Sequence, residues 1–119
     1  MYRIYNTIEK SEILDENGIK NNKLFPSVFW NYDTHQGYTE WWYQGKLHNE
    51  NGPAITNKHG YEAYYINGIR HRIDGPAMIK TDDRGTEYWL YGKQISQEVF
   101  EKRTKGLYNK VKHLLGFNL

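Results

Sequence analysis

Residues Gly37–Ile55 read GYTEWWYQGKLHNENGPAI, and residues Gly60–Met78 read GYEAYYINGIRHRIDGPAM. The two stretches superpose at an offset of 23 residues without a gap. A period of this size marks a stacked array, in which each unit buries its apolar side only against its neighbours. The duplication also bears on function. Chemistry needs one asymmetric constellation of groups, whereas a repeated unit builds a surface.

Two further copies flank the clear pair. Glu87-Tyr88-Trp89-Leu90-Tyr91-Gly92-Lys93 matches Glu40-Trp41-Trp42-Tyr43-Gln44-Gly45-Lys46, but no Gly-Pro-Ala follows it. Upstream, Asn17-Gly18 stands as far before Pro26 as Gly45 stands before Pro53, and Pro26-Ser27-Val28 mimics Pro53-Ala54-Ile55. The turn glycines are therefore Gly18, Gly45, Gly68 and Gly92, spaced 27, 23 and 24 residues apart. Divergent end copies are what a stacked array requires, because they face water on their outer side.

Each unit reads as β structure. Trp41-Trp42-Tyr43, Tyr64-Tyr65-Ile66 and Tyr88-Trp89-Leu90 are aromatic and aliphatic runs that suit a pleated surface. Asn67-Gly68 is a strong hairpin signal, since both central residues of a type I′ turn need positive φ. Gln44-Gly45 and Tyr91-Gly92 are weaker forms of it. Asn51-Gly52-Pro53 and Asp74-Gly75-Pro76 mark a second bend, where glycine is expected to supply an unusual φ and proline denies the ladder a donor.

The segment His71-Arg72-Ile73-Asp74-Gly75-Pro76-Ala77 and its partial copy His48-Asn49-Glu50-Asn51-Gly52-Pro53-Ala54 carry a resemblance. They resemble the MORN-like (membrane occupation and recognition nexus) repeat family, in its divergent branch with the His-Arg-x-Asp-Gly-Pro-Ala signature. In the partial copy Asn49 and Asn51 stand in place of the Arg and Asp. The resemblance spans residues 37–95 well and 13–36 poorly. It implies stacked β-hairpins used for binding, similar to small proteins of bacterial viruses and large DNA viruses. By that route it implies a protein partner such as a host factor or a component of a host defence system.

The expected fold is thus mainly β: about three and a half stacked antiparallel β-hairpin repeats with a C-terminal α-helical cap. A chain of 119 residues makes one domain. Residues 1–36 form an irregular first repeat whose near end Phe25, Phe29 and Trp30 help close. Residues 37–95 form the hairpin repeats, and 96–116 the helical segment. Mean hydropathy is −0.92 although 16 % of residues are aromatic, a combination that suits a thin sheet packed by amphipathic rings such as the 11 tyrosines. No cysteine is present, which removes disulfides and thiolate metal sites. No run approaches the ~20 apolar residues of a membrane helix, and the first residues lack a signal peptide's apolar stretch. A cytoplasmic setting is expected, in the host if the viral resemblance holds, with no membrane attachment.

The net charge of +2 is too small to imply a polyanion partner. The excess sits at the C-terminus, where five basic and two acidic side chains occupy residues 96–119. Ser96 suits an N-cap, and Glu98 and Glu101 suit the first turns. Phe100, Leu107, Val111 and Leu114 form one apolar stripe. Gly106 is expected to kink the helix or divide it. The stripe is expected to dock on the open end of the sheet and cover its last strand.

Three constellations invite a chemical reading. His48 and His71 recur one unit apart, but no further ligand recurs with them, so each is expected to bond the bend backbone near Asn51 or Asp74 rather than a metal. His71, Asp74 and Thr81 make a poor hydrolytic triad, since Asn51 replaces the acid one unit back. Glu40 and Glu87 stand two units apart, too far for paired acid–base work. No enzyme, metal or cofactor is expected.

The aromatic pairs remain. Alternation along a strand places Trp41, Tyr64 and Tyr88 on one face and Trp42, Tyr65 and Trp89 on the other. A thin sheet fully buries one stripe. The other is either an exposed binding row or a solvent-side ladder that stiffens the sheet. As a binding row it comprises Trp42, Tyr65 and Trp89 with Lys46, Arg70, Arg72 and Lys93 beside them. Tryptophan, tyrosine and arginine dominate protein hot spots, which favours a protein partner. The alternative is single-stranded nucleic acid stacked on the same rings. End-to-end homodimerisation is a further way to hide the exposed ends of an incomplete array.

Overall fold

The computed structural model describes residues 2–81 and 85–114, with backbone alone for 107–113. Strands β1 (Arg3–Asn6), β2 (Lys10–Leu14), β3 (Val28–Trp30), β4 (Thr39–Glu40), β5 (Trp42–Tyr43), β6 (Lys46–Leu47), β7 (Ile55–Thr56) and β8 (Glu62–Ala63) are followed by β9 (Tyr65–Ile66), β10 (Ile69–Arg70), β11 (Met78–Ile79), β12 (Thr86–Leu90) and β13 (Lys93–Ile95). The helix α1 (Gln97–Leu114) closes the chain. All strand pairs are antiparallel. Nine strands form one meander in the order β1-β2-β3-β4-β7-β8-β11-β12-β13, and the hairpins β5–β6 and β9–β10 branch from it. The body is elongated, 52 × 36 × 23 Å. Among the described residues no helix is long and apolar enough to cross a membrane.

The turn chemistry follows from the sequence. Gln44 and Gly45 have φ of +50° and +74°, Asn67 and Gly68 +50° and +77°, and Tyr91 and Gly92 +51° and +79°. Positive φ at both central positions is the type I′ requirement, so three successive units turn alike. The first unit differs, since only Gly18 is left-handed there. Asp15 Oδ1 instead accepts the backbone N–H groups of Asn17 and Ile19 at 2.9 and 3.0 Å and organises a wider turn.

The second bend departs from expectation. Neither Gly52 nor Gly75 lies in the left-handed region. At Gly75 the reason for glycine is space, because an added Cβ would meet the Arg72 guanidinium at 2.9 Å. The side chain at the Arg72 position holds the bend in the first three units. Asn22 Nδ2 donates to the Phe25 carbonyl at 3.1 Å, Asn49 Nδ2 to that of Pro53 at 3.0 Å, and Arg72 Nη1 to that of Pro76 at 3.1 Å.

The same residues tie one unit to the next. The backbone N–H groups of Asn22, Asn49 and Arg72 donate to the carbonyls of Trp42, Tyr65 and Trp89 at 2.9, 3.1 and 3.2 Å. Those of Gly45, Gly68 and Gly92 donate back to Lys20, Leu47 and Arg70 at 2.9, 2.7 and 2.9 Å. Ile19, Lys46 and Ile69 lie against Gly45, Gly68 and Gly92, with side-chain carbons 3.0–3.6 Å from where a Cβ would stand. A turn glycine here meets two demands at once, positive φ and the approach of the preceding unit's side chain.

The core is thin and built from small residues. Ser27, Ala54, Ala63 and Ala77 are fully buried, and Val28, Met78, Leu90 and Phe100 complete the apolar interior. Ser27 occupies the position of Ala54 and Ala77, as the Pro26-Ser27-Val28 match anticipates.

At the N-terminus the hairpin β1–β2 extends the sheet by a strand that carries no repeat signature. Phe25 meets Tyr2 edge-on at 5.8 Å, and Trp30 stacks on His35 at 5.4 Å, while Phe29 stays 39 % exposed and does not close that end.

At the other end Ser96 caps α1 as expected, accepting the Val99 N–H at 3.2 Å. The expected division into two helices at Gly106 does not occur, and one helix runs through it. One glycine costs a helix only about 1 kcal/mol. Phe100 packs on Tyr88 of β12, with ring centroids 4.7 Å apart. Only Ser96 separates β13 from the helix, so α1 turns back onto β12 and leaves Lys93 and Gln94 of β13 exposed. Leu114 is also exposed, so the docking stripe does not reach it. Side chains of the other two stripe positions, Leu107 and Val111, lie outside the described residues, as do Asp82–Arg84 of the loop before β12 and positions 115 and 116 of the expected helical segment.

Candidate functional site

The two faces of the sheet have different fates. Glu40, Ala63 and Glu87 share a face with Trp42, Tyr65 and Trp89 two residues on, and with Val28 and Met78 through cross-strand pairing. Val28, Ala63 and Met78 of this face are buried, its rings are half-buried, and each ring is covered by a cation of the same chain. Lys10 Nζ lies 4.8 Å from the Trp30 ring centroid and Lys20 Nζ 4.3 Å from that of Trp42. The Arg70 guanidinium lies between Trp89 and Tyr65, at 4.5 and 5.5 Å. A partly exposed cation over an indole is worth about 1 kcal/mol.

The polar edges of these rings are satisfied as well. Glu40 accepts the indole N–H groups of Trp30 and Trp42 at 2.5 and 2.8 Å. Glu87 accepts that of Trp89 at 2.9 Å and pairs with Lys80. The lysine contact, followed by the indole N–H, holds the Glu87 carboxyl below its ordinary 4.5. Where the ring is Tyr65 instead of Trp, its hydroxyl accepts Arg70 Nη2 at 2.9 Å, and the acid position is Ala63.

Of the expected binding row, Trp42, Tyr65, Trp89 and Arg70 do come together here, but in intramolecular contacts. Lys46, Lys93 and Arg72 do not join them. A two-residue hairpin pairs Tyr43 with Lys46 and Leu90 with Lys93, which places both lysines on the opposite face. Arg72 lies there too, 4.1 Å over the Tyr64 ring and bonded to Asp74 at 2.8 Å.

That opposite face carries a groove of about 740 Å³. Its lining comprises the bend Asn49–Gly52 of one unit with Tyr64, Ile66, Ile69, His71, Arg72, Ile73 and Asp74 of the next, and Tyr91 beyond. Ile69, Ile73 and Tyr91 are 50 %, 48 % and 79 % exposed. Desolvation by the neighbouring chain raises the Tyr64 phenol above its ordinary value.

One unit earlier the corresponding hollow, lined by Lys23, Trp41, His48 and Asn49–Asn51, holds only about 30 Å³. Lys23 fills it, with Nζ 4.3 Å from the Tyr43 ring centroid and 3.8 Å from Glu50. At the equivalent places of the open groove stand Glu50 for Lys23, Ile66 for Tyr43 and Ile73 for Glu50. The plug and both its partners are replaced together. These three concerted differences between copies are the sequence signal for the groove, and they lie outside the aromatic rows.

The histidines act between units. His48 Nδ1 accepts the Asn67 N–H, and His71 Nδ1 the Tyr91 N–H, each at 2.9 Å. Their targets are the hairpin turns of the following unit, not the bends near Asn51 and Asp74 that the sequence suggested. Asn21 does the same work in the first unit, its Oδ1 accepting the Gln44 N–H at 3.1 Å. A ring nitrogen that accepts a backbone N–H cannot carry a proton, so the neutral ring is protonated at Nε2. In His48 that Nε2–H donates to Glu50 at 3.3 Å. In His71, which lines the groove, it has no partner among the described residues, and burial lowers the ring's pKa below 6.5. Among the described residues no three His, Asp or Glu side chains converge as a metal site would require. No family model, curated protein or solved structure matches this chain, so its functional reading rests on the geometry.

Proposed function

We propose that the chain is a MORN-like hairpin array that serves as a non-catalytic module for binding a protein partner, and that the partner is received in the Tyr64–Tyr91 groove. The observation that carries this is the contrast between faces. On the tryptophan face the rings are half-buried and already covered by the chain's own cations, whereas the opposite face exposes apolar side chains in an open hollow. Exposed apolar surface rimmed by polar groups is what protein interfaces use. The titratable groups of the groove support a binding role over a chemical one, since Asp74 is held by Arg72 and His71 by a turn. The viral resemblance makes a host factor the natural class of partner.

The test is affinity capture from nuclease-treated lysate of the source or host cell, with wild type beside Ile73→Asp. Stoichiometric recovery of a protein by wild type and its loss in a folded Ile73→Asp variant supports the reading. Recovery of nucleic acid alone from untreated lysate, with steep salt dependence, overturns it.

A further inference from the structure

We infer that the groove receives an extended segment of the partner that places an aliphatic side chain on Ile66, Ile69 and Ile73 with a lysine or arginine next to it. This rests on the protein-binding reading and adds the chemistry of the ligand. The filled hollow one unit earlier shows what such a groove accepts. There a lysine enters from the neighbouring unit, its ammonium over the Tyr43 ring and toward Glu50. In the open groove isoleucines replace the ring and the acid, so the floor now suits a branched or linear aliphatic group rather than an ammonium. The acid has not vanished, because Glu50 itself forms part of the rim and is 61 % exposed. Asp74, bonded to Arg72, adds a second rim carboxylate that is also largely exposed. A basic residue beside the aliphatic one therefore meets a complementary edge. The accessible Nε2–H of His71 and the exposed amide of Asn67 supply donors for the main chain of an extended segment.

The geometry of the filled hollow also provides the control. Glu50→Lys, Ile66→Tyr and Ile73→Glu together rebuild the plug in the open groove while keeping Asn49 and Arg72, whose side chains hold the two bends, and the turn glycines Gly45 and Gly68. The experiment selects displayed random peptides on wild type, then measures the enriched sequences by fluorescence anisotropy against wild type, the triple variant and Ile73→Asp. Melting curves confirm that each variant is folded. The expected result is a shared aliphatic–basic pair in the enriched peptides and at least about tenfold weaker binding to both variants, the loss typical of a removed anchor. Enrichment of acidic peptides, enrichment without an aliphatic residue, or equal binding to the folded triple variant overturns the inference. So does a selection that yields nothing above an unrelated control protein. If lysate capture is still lost in Ile73→Asp, the protein-binding reading stands and only this account of the ligand falls.

Discussion

The repeats Gly37–Ile55 and Gly60–Met78 share a length, two turns and a histidine, yet they solve the same packing problem differently on both faces. On the tryptophan face the earlier unit pairs Trp42 with Glu40, and the later one pairs Tyr65 with Arg70 while alanine replaces the acid. The substitutions travel together because an indole needs an acceptor for its N–H, whereas a phenol can serve as an acceptor itself. On the outer face a lysine fills the hollow against the earlier unit, and isoleucines leave the hollow of the later one open. The shared positions therefore describe how a unit folds, and the concerted changes describe what each unit is for.

The sharpest way to break the comparison is to convert the tryptophan face of one unit into that of the other. Ala63 is fully buried between Ile55 and Met78. Ala63→Glu introduces both excess volume and an unpaired carboxylate, and is expected to cost about 3 kcal/mol or more. Adding Tyr65→Trp supplies the N–H that Glu40 enjoys one unit earlier, so the double variant should recover part of the loss. Urea unfolding of the four proteins of the cycle measures the coupling. Strict additivity would show that the Glu–Trp pairing is incidental to the difference between units.

Glu87, the acid of the following unit, tests the same pairing by removal. Glu87→Ala strands the Trp89 N–H and the Lys80 ammonium in a partly buried site, which is expected to cost about 1–2 kcal/mol. The pH dependence has a definite sign. The folded carboxyl titrates below its ordinary 4.5, chiefly through Lys80, so the unfolded chain takes up the proton first. The stabilisation is complete above about pH 4.5 and is lost as pH falls through the folded value. Glu87→Gln should flatten that part of the acid limb in a series of thermal melts. An unchanged limb would remove Glu87 from the account.

Much of this organisation was legible in the sequence, and the rest was lost for identifiable reasons. Paired positive φ follows from Asn67-Gly68, and Ser96 reads as a cap from its place before an amphipathic run. The placement of Lys46 and Lys93 beside the tryptophans failed because a two-residue turn sets the residue after its glycine opposite the residue before the turn, on Tyr43's face. The division of labour between faces was hidden because both stripes are aromatic, and only cross-strand register shows which one shares a face with Val28 and Met78. The hairpin β1–β2 has no repeat signature to find. Gly75 was read as a conformational glycine because no local pattern reveals that a guanidinium lies 2.9 Å from its missing Cβ.

The histidines offer a third test, which concerns how units are joined. His71→Ala removes the acceptor of the Tyr91 N–H and the ring against Tyr91, 4.2 Å away, and should cost about 1–1.5 kcal/mol. His71→Asn should cost less, since Asn21 already performs this task in the first unit. Burial lowers the folded pKa of His71 below 6.5, and the backbone donor at Nδ1 acts in the same direction. Its contribution is therefore complete above pH 6.5 and is lost as pH falls from there through the folded value, because the unfolded chain protonates first. Wild type should lose stability over that window, and His71→Asn should not. Equal slopes for the two proteins in denaturant titrations across pH 5–7 would contradict the assignment.

The smallest effect concerns the turns. Gln44, Asn67 and Tyr91 all sit at φ near +50°, but only asparagine adopts that backbone readily. Tyr91 has a compensating contact with His71, and Gln44 has no ring to lean on, only the Asn21 side chain that accepts its N–H. Gln44→Asn keeps that backbone donor and removes part of the strain. It should stabilise the protein by about 0.5 kcal/mol, a fraction of the ~1–2 kcal/mol that a left-handed residue costs in general. The same change at Tyr91 should gain less, or lose, because the stacked ring goes with it. If Tyr91→Asn stabilises as much as Gln44→Asn, the contact with His71 contributes nothing and the turns are interchangeable. A gain confined to Gln44 would show that even a turn of shared geometry has been adapted locally, with Tyr91 kept for the wall it gives the groove.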